Sequence, residues 1–144
     1  MTTEEIRATR PPGEMAAAIS TGLVQLHRQY YGKGPTKAKT HFVNDTVVCI
    51  LEGGFTTVER TLIDDGQADT VHQMRRSFQK AMERQFTNVV QEATDRTVIA
   101  YMSQVHDGPD LAVELFVLEP GAEPAAAHVD GGPPERGRPE EPEE

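Results

Sequence analysis

The sequence predicts an α+β domain in the order α-β-β-α-α-β-β, with a four-stranded antiparallel or mixed sheet packed against helices. Three observations carry this. Apolar residues recur every three or four positions in two long stretches, as an amphipathic helix requires. β-rich runs come in two pairs, each pair joined by a short turn. The single β-α alternation of a doubly wound parallel sheet is not seen.

In the first helical stretch, residues 14–31, Met15, Ile19, Leu23, Leu26 and Tyr30 share one face, and Gly32 supplies the stop. Residues 39–42 and 46–52 then form a hairpin around Val43, Asn44 and Asp45, because Asn and Asp tolerate the left-handed backbone of a tight turn. Gly53 and Gly54 end the second strand. Thr56 with Glu59 three residues on is a capping box, which predicts a short helix carrying Val58 and Leu62 to about Asp64. Asp65 and Gly66 break it. Thr70 and Gln73 repeat the capping pattern ahead of Val71, Met74, Phe78, Met82, Phe86, Val89 and Ala93, predicting one long helix of about six turns. Residues 97–105 and 111–118 form the second hairpin around Asp107, Gly108, Pro109 and Asp110.

At 144 residues, 37% apolar and 26% charged, the chain is sized and composed for one core. We assign it to residues 13–120, between a flexible N-terminus of residues 1–12 and a disordered tail of residues 121–144. The tail is acidic, rich in proline and glycine, and has Val129 as its largest apolar residue. Of the net charge of −9, the tail holds −5 and the first twelve residues none, so the core carries only −4. No broad basic field exists to gather nucleic acid, and nucleic acid is not an expected partner. One cysteine, Cys49, excludes an internal disulfide and a cysteine-rich zinc site. No run approaches the roughly 20 apolar residues of a membrane span, and the start of the chain is unlike a secretory signal, so a cytoplasmic protein without direct membrane insertion is expected.

Both faces of the second and fourth strands are apolar. Val47, Cys49 and Leu51 oppose Val48 and Ile50, while Leu111, Val113, Leu115 and Val117 oppose Ala112, Phe116 and Leu118. Either helices cover both faces, or they cover one and a second copy of the protein covers the other, so a homodimer is an expected outcome.

Candidate working surfaces are few. The segment from Tyr30 to Lys39 joins two aromatics, two glycines, a proline and the cations Lys33, Lys37 and Lys39 at a helix exit. Its composition is that of a phosphate loop, but its spacing and its helix-to-strand setting are not. It reads either as a cap with solvated lysines or as a surface for an anion or an acidic partner. The turn at Gly53 and Gly54 offers amides at a helix N-terminus, although Glu59 competes for that potential. Arg76, Lys80 and Arg84 form a basic stripe at helical spacing, either a solvated face or a dock for an acidic partner or the tail. Cys49 belongs to an apolar strand, where a thiol is inert. His27, His41, His72 and His106 are scattered, without a metal-binding pair on one helical face. His106 with Asp107 and Asp110 reads either as an oxygen-rich metal corner or as a polar turn. No metal, cofactor or catalytic residue is assigned.

Tyr31 through Pro35, the strand from Val47 to Gly53, the run from Thr56 to Leu62, Arg75 and Arg76, Thr97 through Ile99, and Glu114 through Leu118 occur in an order that resembles the MpsC family. That family is named for a component of a sodium-translocating, membrane-potential-generating system. The resemblance covers residues 13–119 and departs from the family pattern at Asp95, where glycine is common, and near Gln104, where an acid is. It implies association with a membrane system for cation translocation or inorganic-carbon uptake, and brings no catalytic site. The resulting expectation is a non-enzymatic accessory or regulatory protein, with a protein partner docked through Lys33, Lys37 and Lys39 and the basic stripe. The alternative is a sensor for an anion or nucleotide held between those lysines and the turn at Gly53 and Gly54.

Overall fold

A computed structural model describes residues 10–121 and the backbone of His128–Val129. Among the described residues, four helices lie against one antiparallel sheet, in the order α1 (Pro12–Tyr31), β1 (Lys37–Val43), β2 (Thr46–Glu52), α2 (Thr57–Asp64), α3 (Ala68–Ala81), α4 (Glu83–Thr94), β3 (Val98–His106) and β4 (Leu111–Leu118). The α+β class and the four expected strands are therefore present. The strands are ordered β3-β4-β2-β1, and the short β5 (His128–Val129) adds two residues beside β1. Apart from β5, residues 10–12 and Gly121, the tail expected for residues 121–144 and the flexible N-terminus expected for residues 1–12 fall outside the described residues, and Pro12 already belongs to α1.

Local chemistry explains most boundaries. Helix α1 begins on Pro12, whose fixed φ suits the first turn, and ends on Gly32 at φ 76°, whose N–H donates to the Arg28 carbonyl. Asn44 adopts φ 53° in the β1–β2 turn. The capping box of α2 is complete: Thr56 Oγ1 accepts from the Glu59 N–H, and the Glu59 carboxylate accepts from the Thr56 N–H. Asp95 ends α4 at φ 55°, a left-handed position that glycine occupies at less cost.

Three expectations need correction. The long helix is two, because the backbone at Met82 (φ −96°, ψ 1°) departs from helical geometry between α3 and α4. No proline or glycine marks the break. Its cause is tertiary, since α3 packs on α2 while α4 packs on α1, and the buried Met82 side chain sits at the bend. The capping pattern at Thr70 lies inside α3, which starts after Gln67. In α2 the residue facing the core is Glu59, while Val58 is 69% exposed.

Among the described residues, helices cover one face of the sheet only. Phe42, Val47, Cys49, Leu51, Phe116 and Leu118 point into the core and meet Ile19 and Leu23 of α1 and Phe86 and Val90 of α4. The next residues along each strand point away and are half-buried or exposed, so burial alternates along β1, β2 and β4. Where α1 crosses α4, a Cβ placed on Gly22 would come 2.6 Å from Val89 Cγ1. Valine is too stiff to yield cheaply there. On an exposed helix, Gly→Ala gains about 1 kcal/mol. Here Gly22→Ala should instead destabilise by about 1–3 kcal/mol, the usual cost of overpacking, as read from urea unfolding.

Candidate functional site

A polar row crosses the middle of the apolar core. The register pairs Thr40 with Cys49, Cys49 with Glu114, and Glu114 with Ser103, so these four side chains share the helix-covered face. Ser20 and His27 of α1 lie above them. The Ser20 and Thr40 hydroxyls are 2.7 Å apart, and His27 Nε2 is 3.9 Å from Glu114 Oε1. His27 Nδ1–H donates to the Leu23 carbonyl at 2.7 Å, which leaves Nε2 as the acceptor facing Glu114. Tyr101 donates to Glu114 Oε2 at 2.6 Å.

Above the row sits a buried ion pair. Arg75 of α3 and Glu59 of α2 are 3% and 1% exposed. Arg75 donates from Nε to Glu59 Oε2 at 2.5 Å and from Nη2 to Oε1 at 2.6 Å, and Nη2 also donates to the Gly54 carbonyl at 2.9 Å. The guanidinium lies 3.9 Å from the centroid of the Tyr31 ring. His27 stacks between Tyr31 and Phe86, linking this pair to the core aromatics.

Electrostatics separates the two buried acids. Burial pushes Glu59 up, but the hydrogen bonds from Arg75 and Thr56 outweigh it and hold the carboxyl below its usual range. Glu114 has no such cation at bonding distance. Burial pushes it up to about 7, against the opposing pull of the Tyr101 hydroxyl, neighbouring Ser103 and more distant Arg75. Burial also lowers the pKa of His27, so its imidazole is neutral when Glu114 takes up its proton. Cys49 is wholly buried and its thiol is pushed up to about 11, chiefly by burial, so it is inert as a nucleophile.

The residues singled out from the sequence are not gathered in one place. Lys33 Nζ donates to the Phe55 carbonyl at 3.1 Å and ties the helix exit to the loop before α2. Lys37 and Lys39 project from the helix-free face of β1, in line with His41. The Gly53 N–H donates to the Asp110 carbonyl, the Phe55 N–H to the Asp110 carboxylate and the Thr56 N–H to Glu59, so this turn meets the chain's own acceptors. Gly53 itself is at φ 69° with Thr36 against it. Arg76, Lys80 and Arg84 are exposed, but the stripe crosses the break at Met82, so Arg84 belongs to a different helix. His106, Asp107 and Asp110 diverge: Asp107 pairs with His72, Asp110 with Arg60, and His106 with the Pro109 carbonyl. Among the described residues, no group of three His, Cys, Asp or Glu is placed to hold a metal ion.

Sequence reasoning passed over Arg75, Glu59 and Glu114 as a linked centre. One signal was present: Arg75 falls on the buried stripe of Val71, Phe78 and Met82, a position a solvated arginine would not take.

Two tests follow from the buried charges. Arg75→Met strands the Glu59 carboxylate and should cost about 3–5 kcal/mol in urea unfolding, whereas Arg75→Met with Glu59→Leu should recover most of it. For pH, the folded Glu114 keeps its proton from about 4.5 to 7 while the unfolded chain has lost it, so this group's contribution is full at low pH and falls as pH rises through that window. His27 and Glu59, with lowered pKa values, act in the opposite direction. The stability of wild type minus that of Glu114→Gln, measured between pH 5 and pH 8, should therefore decrease with pH.

No described helix is long and apolar enough to cross a membrane. No curated protein and no solved structure matches the chain. Residues 12–120 match the model of a family described as Na+-translocating membrane potential-generating system (MpsC). That match spans α1 through β4, including both halves of the buried centre and the entire four-stranded sheet, and the chain belongs to the MpsC family.

Proposed function

We propose that this chain is a non-enzymatic accessory or regulatory protein of a cation-translocating membrane system, acting from the cytoplasmic side through a protein partner. The observation that carries this reading is the helix-free face of the sheet. Its centre is apolar, formed by Val48, Ile50, Val113, Leu115, Val117 and Met102, with Met102 55% exposed. Exposed apolar surface of this kind marks an interface.

The face is also asymmetric. Lys37, Lys39 and His41 line its β1 side beside a groove of about 420 Å³ that includes Ile50 and Glu52, while Gln104 and His106 line the β3 side. A partner that fits it presents an apolar strand or helix with carboxylates placed opposite Lys37 and Lys39. The family description supplies the membrane system as the setting. The inert Cys49 thiol and the pairing of Arg75 with Glu59 leave neither as a free reactive group, which supports a binding role. A second copy of the chain is the competing occupant of the same face.

The reading is tested by cosedimentation of the full chain with membranes from its own cells. Wild type should pellet with the membranes, Lys37→Glu with Lys39→Glu should lose at least about tenfold in affinity, and Lys80→Glu should behave as wild type. Equal recovery of all three, or of none above a protein-free control, would rule this docking surface out. Light scattering across a wide concentration range decides the competing case, since a dimer that dissociates on Val113→Asp would assign the face to a second copy.

A further inference from the structure

Beside the ion pair, α3 and β3 flank a half-open cavity of about 140 Å³ that the docking reading does not use. Its walls are His72, Arg75, Arg76 and Gln79 from α3, and Ser103, Gln104 and Val105 from β3. Apart from Val105, each of these side chains can donate a hydrogen bond. No carboxylate lines the cavity, and the Asp107 that pairs with His72 stands outside it. Two polar atoms beside this region are buried and make no hydrogen bond of good geometry among the described residues: Ser103 Oγ, in the cavity wall, which interacts only loosely with Glu114 and Tyr101, and Tyr31 Oη, under the Arg75 guanidinium.

Buried hydroxyls are normally paired, and an unpaired one is unfavourable. An acceptor in the cavity would satisfy Ser103. Arg75 commits Nε and Nη2 to Glu59 and Gly54, which leaves Nη1 as the end of the fork not engaged by those partners. Arg76 adds a positive charge that no carboxylate in the lining offsets. The space is that of a few non-hydrogen atoms, too small for a nucleotide.

We propose that this cavity binds a small oxyanion, of the carboxylate, sulfate or phosphate class, between Arg75, Arg76 and Ser103, and that its occupancy is coupled to the proton on Glu114. The coupling follows from position. Ser103 is the cross-strand neighbour of Glu114, so an anion held by Ser103 opposes a second negative charge one residue away. The groups facing Glu114 are His27 and Tyr31 from α1, Cys49 from β2, Arg75 from α3, and Tyr101 and Ser103 from β3, with Glu83 of α4 beyond Tyr101. Lowering the pH through about 7 protonates Glu114, removes that repulsion and strengthens anion binding, and the anion in turn raises the affinity of Glu114 for its proton.

Thermal unfolding of the full chain, titrated with sodium acetate, sulfate or phosphate against sodium chloride of equal ionic strength, tests the site. At least one anion should raise Tm by about 5 °C beyond chloride, with a saturating dose dependence. Sulfate and phosphate also stabilise proteins by exclusion from their surface, so the variants decide. Arg76→Glu and Ser103→Ala should each weaken the apparent affinity about tenfold, while Lys80→Glu, one turn along the same helix, should match wild type. No shift beyond chloride, or a shift that survives both cavity variants, overturns the site. Sulfate stays fully ionised between pH 6 and 8, so its affinity should rise as pH falls in wild type and lose that dependence in Glu114→Gln; an unchanged dependence in the variant overturns the coupling.

Discussion

Arg75 and Glu59 hold the helical layer together because neither charge can be left alone beneath the surface. Their two parallel hydrogen bonds join α2 to α3, the third Arg75 bond reaches the loop at Gly54, and the guanidinium lies on the Tyr31 ring at the end of α1. Glu59 also caps its own helix, so one carboxylate fixes both the start of α2 and the position of α3. An isolated buried charge costs several kcal/mol, and the pair compensates only in this geometry. The docking of three helices thus depends on a single bidentate contact.

Beneath that contact the core is divided. Most of it is apolar, with Phe86 and Phe116 among the largest fully buried side chains, yet the row from Thr40 through Cys49 and Glu114 to Ser103 runs through its centre. The two buried acids differ because their partners differ. Glu59 faces a guanidinium and stays ionised, whereas Glu114 faces a hydroxyl and a neutral imidazole and titrates near 7. A proton on Glu114 is therefore exchangeable under ordinary conditions, while Glu59 is a fixed charge.

The sheet carries the other asymmetry. Among the described residues, its inner face is filled by helices and its outer face is apolar at the centre and cationic along β1. Glu114 and the outer-facing Val113 and Leu115 are consecutive on β4. The inner row and the outer face are therefore carried by the same strand.

Local features were legible in the sequence because they depend on nearest neighbours. The strands, the left-handed Asn44 turn, the stop at Gly32 and the Thr56–Glu59 box follow from periodicity and from residues that tolerate special backbone angles. The apolar character of both faces of β2 and β4 was also legible, but not whether helices cover one face or both. Only the tertiary structure decided which face the helices take, where the long helical stretch breaks at Met82, and that Arg75, Glu59 and Glu114, separated along the chain, gather around Tyr31 and His27. Charged residues read as surface in sequence, since burial is unfavourable for each alone; they enter the core only as partners, and partnership between distant residues is a property of the folded chain.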